Sequence, residues 1–321
     1  MNRYLITGGA GFIGRAITQR LIEQGNFVRV FDNESRGSKN SIVLSKNIEF
    51  LHGDIRDPKK VTDACKDINT IIHLAFVNGT RFFYEKPNVV LEVGVKGMLN
   101  VLEGARIHKV KELFLASSSE VYQSPPLIPT PENIPLVIPD PQNPRYSYAA
   151  GKIVSELMSL HMGTKICKKV VIFRPHNVYG PNMGHEHVIP ELITKIIDLK
   201  NLSRKSIRLT IQGDGNQSRA FIYIDDFIDG LSILLGKARD REIYNIGTTD
   251  EITIKKLISF LEKISKTKIT IQQNLLPEGS TKRRCPDITK IKSLGFSPKI
   301  DIRLGLLKTY LWYQTNSISV A

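Results

Sequence analysis

Cysteine and tryptophan are scarce in this chain: 321 residues include three of the first and one of the second. Cys65, Cys167 and Cys285 stand far apart, with no Cys-x-x-Cys pair and no Cys/His cluster at zinc-ligand spacing. That argues against a disulfide-stapled fold and against a structural metal site. The three read as reduced thiols, at least two of them core or near-core, a usage that fits the cytoplasm. Long apolar runs are missing too. None reaches the roughly 18–20 residues that cross a bilayer, so no membrane span is expected. The N-terminus enters a strand directly, with no charged region followed by a long apolar one, so no secretory signal is expected. Internal repeats and low-complexity tracts are also absent from the sequence.

Acid is in short supply. Forty-five Lys and Arg stand against 31 Asp and Glu, a net charge of +14. Such a balance raises nucleic acid as a partner. The basic residues are scattered, however, apart from Lys165 to Lys169 and Lys282-Arg283-Arg284, and no aromatics interleave with them. Nucleic acid is therefore not expected as the main partner, whereas an anionic small substrate would need only a few of these side chains. Hydrophobic residues make up 41% and charged residues 24%, ordinary values for a globular protein. The length suits one large α/β domain with a smaller appended lobe.

The most informative stretch is Thr7-Gly8-Gly9-Ala10-Gly11-Phe12-Ile13-Gly14. It follows an apolar run, Tyr4-Leu5-Ile6, and precedes a segment with Ile17, Leu21 and Ile22 at helical spacing. Gly8, Gly11 and Gly14 allow a tight turn, a close approach to a pyrophosphate, and helix-on-strand packing. The helix N-terminus adds free N–H donors and partial positive charge. A second strand, Phe27 to Phe31, ends at Asp32, placed to accept hydrogen bonds from an adenosine ribose. This is a dinucleotide site. Asp32 would repel a 2′-phosphate, which favours NAD over NADP; Arg36 is the one nearby feature pointing the other way.

Further along, Asn33 to Ser41 is a polar loop and Ile48 to Leu51 a short strand before Gly53-Asp54-Ile55-Arg56-Asp57. Asp57-Pro58 opens a helix. Thr70 to Ala75 is a strand in which His73 reads as a packed strand-end histidine. Pro87 to Arg106 has a long helical period. Leu113 to Ala116 is a strand running into Ser117-Ser118-Ser119-Glu120-Val121-Tyr122. Ser124 to Pro144 is proline-rich and reads as an irregular loop over the site. Tyr148 opens a helix to about His161, and Val170 to Phe173 is a sixth strand. Helices are expected over Val188–Leu199 and Asp225–Leu235, and a strand at Leu209–Gln212. Tyr244–Gly247, Thr253–Ile264 and Ile269–Ile271 are expected to complete the smaller lobe. Each polar cluster of the first half falls at the carboxyl end of a strand, where open parallel sheets bind ligands.

Tyr148 and Lys152 are four apart and share a helix face. A tyrosine ordinarily titrates near pH 10. A neighbouring ammonium stabilises the phenolate, so Lys152 is expected to lower the Tyr148 pKa and fit it for taking a proton from a substrate hydroxyl.

Together these stretches resemble the extended short-chain dehydrogenase/reductases, in the nucleotide-sugar epimerase/dehydratase/decarboxylase group. The matching segments are TGGAGFIG (7–14), GDIRD (53–57), HLA (73–75), SSSEVY (117–122), YAAGK (148–152), RPHNVYGP (174–181), GDGNQSRAFIYIDD (213–226), YNIG (244–247) and RRCPDITK (283–290). The resemblance implies an α/β fold, a doubly wound parallel Rossmann-type sheet with a smaller C-terminal α/β substrate lobe. Residues 1–180 would form the NAD-binding domain, with about 215–250 returning to it, and 181–321 mainly the nucleotide-sugar lobe.

It also implies roles. NAD would lie against Gly8, Gly11, Phe12, Ile13, Gly14, Asp32, Asn33, Asp54, Ile55, Leu74, Ala75, Tyr148 and Lys152, with Asp54 near the adenine amino group and Ile55 on the adenine face. Ser118 would hold the reacting sugar hydroxyl, Tyr148 would be the base and Lys152 its partner. Ser119, Asn177, Val188, Arg219 and Arg284 would contact the substrate, the two arginines gripping its diphosphate. UDP is the expected nucleotide. A homodimer through Val89–Arg106 and Tyr148–His161 is implied as well.

Three positions depart from the resemblance. Gly94 stands where the group often has Asn, and Gln123 where Gly is usual. Ser119-Glu120 replaces the Asp-Glu pair of the 4,6-dehydratases and matches the Ser-Glu of the uronic-acid decarboxylases. Ordinary dehydration is thereby disfavoured. The chemistry expected is NAD-dependent 4-epimerisation through a 4-keto sugar. The alternative is C5/C6 chemistry from the same ketone, with Glu120 taking part. A non-catalytic, basic RNA-binding or scaffold protein is the alternative of another class, opposed by the joint presence of Ser118, Tyr148 and Lys152.

Overall fold

The computed structural model describes residues 1–42, 45–201, 206–275, 279 and 281–316. Its centre is built from short apolar runs. Strands β1 (Arg3–Thr7), β2 (Phe27–Asp32), β3 (Ile48–His52), β4 (Thr70–His73), β5 (Glu112–Ala116) and β6 (Lys169–Pro175) come in chain order. The next are β7 (Val178–Tyr179), β8 (Ser206–Gln212), β9 (Ser218–Ala220) and β10 (Ile222–Tyr223). The last are β11 (Glu242–Ile246), β12 (Glu251–Thr253), β13 (Lys268–Asn274) and β14 (Arg283–Arg284). Seven of these form one sheet in the order β11-β6-β5-β4-β1-β2-β3. Every pairing in it is parallel. The strand order reverses between β1 and β4, which creates a crevice beyond their carboxyl ends.

Helices cover both faces. They are α1 (Phe12–Glu23), α2 (Pro58–Ala64), α3 (Thr80–Glu85), α4 (Pro87–Ile107), α5 (Ser147–His161), α6 (Val188–Asn201), α7 (Ile224–Lys237), α8 (Ile254–Ser265), α9 (Thr289–Lys292) and α10 (Ile302–Asn316). α4 packs along α5 and α2, while α1 packs on α7. The strand side chains alternate between these layers, as the pleat requires. Ile6, Ile72, Phe114, Val171 and Phe173 enter one core and Leu5, Ile71, Leu113, Leu115, Val170 and Ile172 the other. Burial on both faces explains why these strands read as unbroken apolar runs.

The first core continues into a smaller C-terminal α/β lobe. There β8 and β13 pair in parallel, and α6, α8 and α10 pack together around them. β8 alternates exposed and buried residues along its whole length, the pattern of a sheet with one wet face. Two smaller groupings are β7 with β10 and β12-β9-β14.

The chain-order reading places the Tyr244–Gly247 strand in the smaller lobe, whereas the resemblance returns about 215–250 to the large domain. The second holds for this strand: β11 forms the edge of the central sheet, with Tyr244 opposite Phe173 and Ile246 opposite Pro175. The reason is α7. Its apolar face lies beside α1 on the large sheet, so the chain leaves it at that sheet's edge, where Tyr244 and Ile246 are buried in the first core. Helix α3 was not expected. The segment from Ser124 to Asn143 carries no helix or strand, and Thr130 bridges it to Pro286.

Candidate active site

The glycine turn is shaped by what its glycines exclude. Gly8 sits at φ +71°, and a Cβ there would lie 2.8 Å from the Ala75 nitrogen. At Gly14 a Cβ would run into the Gly8 carbonyl. The turn is thus closed against both the strand end and the helix. Gly11 is the N-cap of α1, makes no side-chain cap bond, and no acidic residue occupies the first turn. Phe12 and Ile13 are half-buried at that end. Open N–H donors above a turn without side chains fit a dinucleotide pyrophosphate.

Asp32 ends β2 beside this turn. One carboxylate oxygen accepts from the Ala10 N–H at 2.9 Å and the other from the Glu34 N–H at 2.7 Å. Burial pushes its pKa up, against the pull of those amides. Asn33 is exposed and donates to Asp54 at 3.3 Å. Asp54 is gripped by Arg56 at 2.9 Å, which brings its pKa down to about 2. Ile55 is buried against α4, close enough that a Cβ on Gly97 would lie 2.9 Å away. Leu74 and Ala75 follow β4, and their amides donate to the Thr7 carbonyl and hydroxyl. Arg36 pairs with Glu186 at 3.3 Å. His73 is fully inside, its Nδ1 2.7 Å from the Thr7 hydroxyl, and burial, aided by Lys152, drives its pKa down to about 3. It is a neutral packing residue.

Beyond β5, the Ser118 hydroxyl accepts from the Glu120 N–H at 3.2 Å and starts a single tight turn, Ser119–Tyr122. Ser119 is buried. Tyr148, in the first turn of α5, has the Ser118 hydroxyl beside its phenol, where it works to lower the phenol's pKa. Its ring is stacked on Phe83 at 4.9 Å and stands nearly perpendicular to that of Phe76 at 5.1 Å. Lys152 is buried one turn on and donates to the Ala116 carbonyl at 2.6 Å.

The expected effect of Lys152 on Tyr148 is not what the protein shows. Burial pushes the Tyr148 phenol up to about 12, against the help of Ser118, Arg36 and Arg284, while Glu120 adds to the rise. The shared helix face is real, but the ammonium points to Ala116 and stands 5.8 Å from the Tyr148 ring centre. Burial also lowers Lys152 itself to about 7, and Glu156 offsets part of that.

The arginines converge from the other side. β9 and β14 run in parallel with Arg219 opposite Arg284, so both side chains come from one small sheet. Arg284 donates to Glu120 at 2.6 Å and to the Thr281 hydroxyl at 3.1 Å. Arg219 is held by backbone carbonyls, those of Ser218 at 2.7 Å and Thr281 at 2.6 Å among them. Burial works to raise the Glu120 pKa, but Arg284, then Arg145 and Arg219, outweigh it and hold the carboxyl below its ordinary value. Asn177, at φ +42°, donates to the Ala220 carbonyl of β9 at 3.1 Å. Val188 opens α6 and packs against the first core.

Three residues escaped the sequence reading as site residues: Phe76, Phe83 and Arg145. Arg145 faces Glu120 and Arg219, and its Nε is buried without a hydrogen-bond partner. The run Pro144-Arg145-Tyr-Ser-Tyr148-Ala-Ala-Gly151-Lys152 resembles the Pro-Arg-x-x-Tyr-x-x-Gly-Lys pattern of the uronic-acid decarboxylases, which singles out the segment without giving Arg145 a role. Phe76 follows the HLA segment directly, and the glycine at 94 was its signal. Among the described residues, no group of three or more His, Cys, Asp or Glu could hold a metal ion. No helix there is long and apolar enough to cross a membrane.

Comparison with known proteins identifies the family. The model of the NAD dependent epimerase/dehydratase family matches residues 4–247. A UDP-glucuronate 4-epimerase of Thermodesulfobacterium geofontis is 32% identical, over 98% of this chain and 97% of its own. A UDP-N-acetyl-alpha-D-glucosaminuronate decarboxylase of Bacillus cytotoxicus is 30% identical, over 97% and 98%. The solved structure of a UDP-glucose 4-epimerase from Thermotoga maritima, with UDP-glucose, superposes with a TM-score of 0.86 at 27% identity, covering 98% and 99%.

Proposed function

We propose that this chain, which belongs to the NAD-dependent epimerase/dehydratase family, is a UDP-sugar 4-epimerase. Residues Gly8 to Gly14, Asp32, Asn33, Asp54, Ile55, Leu74 and Ala75 would hold the cofactor, and Lys152 its inner ribose. When bound, NAD supplies the redox chemistry, accepting the C4 hydrogen and giving it back, together with a positive charge. The protein's own task is the proton. Ser118 stands beside the Tyr148 phenol, so a sugar hydroxyl bonded to Ser118 would lie within reach of it. A phenol at about 12 keeps its own proton at neutral pH and so cannot take one from a sugar hydroxyl. Positive charge beside the phenol would lower its pKa, and Arg36 and Arg284 already act in that direction. Asn177, Arg219 and Arg284 would fix the diphosphate while the 4-keto sugar turns over between the two hydrogen transfers.

The observation that carries this reading is the Glu120–Arg284 ion pair at 2.6 Å. A carboxylate paired in this way, with its pKa lowered, is a weak base for removing a C5 proton. Chemistry confined to C4 needs none. A second reading, loss of carbon dioxide from a UDP-uronic acid through the same ketone, is favoured by Arg145, Arg219 and Arg284 facing a single carboxylate. The surplus positive charge would suit a substrate with a further carboxylate.

The test is incubation with a panel of UDP-, dTDP-, GDP- and CDP-sugars, with products read by mass and NMR. Unchanged mass with inverted C4 supports the epimerase; loss of carbon dioxide or of water overturns it. Glu120→Gln should leave 4-epimerisation nearly intact and would cripple C5 chemistry. We further propose a homodimer across α4 and α5, whose outer faces expose Leu91, Leu99, Val154 and Leu157, and a cytoplasmic location consistent with three free, buried cysteines.

A further inference from the structure

Gly94 lies on α4 where the resemblance led one to expect asparagine. A Cβ on Gly94 would come within 2.5 Å of Phe76 Cζ and 2.7 Å of Cε2. Across the gap, a Cβ on Gly151 of α5 would come within 3.0 Å of the same Cζ. The ring tip is therefore wedged between two helices at the one point where both lack side chains. Gly151 directly precedes Lys152. The Lys152 ammonium lies over the Phe76 ring at 4.1 Å from its centre, well inside the range of an attractive cation–ring contact. The same ring stands nearly perpendicular to that of Tyr148, 5.1 Å between centres.

We infer that Phe76 is a positioning residue for the Lys152 ammonium, and that glycine at 94 is what admits its ring. The inference rests on the proposed role of Lys152 only for its consequence in catalysis; the contact itself is independent of it. The ammonium has few other means of support. Its donated bond goes to the Ala116 carbonyl at the end of β5. From its own helix, Glu156 acts on it favourably and Tyr148 presents its ring. On the β4 side, His73 is neutral and its own pKa is depressed by the lysine. α4 contributes no charge at Gly94, where an asparagine would have presented an amide. The electron-rich face of Phe76 covers the ammonium in that place. It favours the charged lysine, keeps the alkyl chain extended toward Ala116, and links the lysine to the phenol through one rigid ring.

The test reads the lysine directly. Phe76 is replaced by mono-, di- and trifluorophenylalanine, which nearly keep the ring's size while draining charge from its face. Lysine is labelled with carbon-13 at Cε, and the Lys152 resonance is assigned by its loss in Lys152→Met. The expected result is a Lys152 titration midpoint that falls stepwise with fluorine number, by about one pH unit over the series. A midpoint unmoved across the series overturns the inference, whatever the turnover. The seat is tested separately. Gly94→Ala should lower the melting temperature in the native background but hardly at all in a Phe76→Ala background. Equal losses in both would show that the glycine serves something other than this ring.

Discussion

Replacing Glu156 by alanine should destabilise the whole chain by several kcal/mol, although the residue touches no proposed ligand. Glu156 sits on α5 one turn beyond Lys152. Its carboxylate takes two bonds from Arg174, at 2.8 and 2.6 Å. The two side chains are 4% and 2% exposed. Arg174 also donates to the Tyr122 hydroxyl at 2.6 Å and to the Glu132 carbonyl at 3.0 Å. Tyr122 in turn donates to Asn245, whose own amide group binds the carbonyls of Thr130 and Asp287. Deleting the carboxylate strands a guanidinium that water cannot reach. Breaking one partner of such a pair costs about 3–5 kcal/mol. A chain of this size unfolds with an entropy of about 0.7 kcal/mol per kelvin, so the melting temperature should fall by about 4–7 °C. Thermal denaturation by circular dichroism measures this, and proteolysis within 124–143 should quicken because Thr130 and Glu132 lose their anchor. The double change Glu156→Leu with Arg174→Met removes both charges and should recover most of the loss. A fall of about 1 °C for Glu156→Ala, or a double variant worse than the single, would refute the reasoning.

Three further outcomes follow from the same geometry. Gly8→Ala places a Cβ 2.8 Å from the Ala75 nitrogen at φ +71°; it should cost about 1–3 kcal/mol and strip the purified protein of NAD, measured by absorbance of the released cofactor. Tyr148→Phe should keep the fold and the thermal stabilisation by UDP-sugars while abolishing turnover, so substantial residual turnover would sink the assigned base. Leu157, 51% exposed on α5, should turn a dimer into a monomer when changed to Arg, read by analytical ultracentrifugation; a monomeric parent chain would already contradict the proposed interface.

Much of this was legible because it is local. The apolar runs at Tyr4–Ile6 and Val170–Phe173 can only be strands buried on both faces, and a glycine turn between such a strand and an amphipathic helix has few uses. The Tyr148–Lys152 spacing fixed a shared helix face, but spacing carries no information on where an ammonium points or how deeply a phenol is buried. That is why the direction of the Tyr148 shift was missed. The Glu120–Arg284 pair joins residues 164 apart in sequence, and only the meeting of the β5 end with β14 creates it. The sheet membership of β11 depended likewise on where α7 packs. Gly94 was visible as a departure, while its cause, the Phe76 ring, lies across an interface that no periodicity announces.

The central claim is that chemistry begins and ends at sugar C4. It is tested most directly by incubating the protein with UDP-hexoses and UDP-uronic acids deuterated at C4 and following the products by NMR and mass. The account expects a C4 epimer of unchanged mass with the deuterium still on C4. Deuterium lost to solvent, a product lighter by carbon dioxide or water, or no inversion with any of these sugars would contradict it.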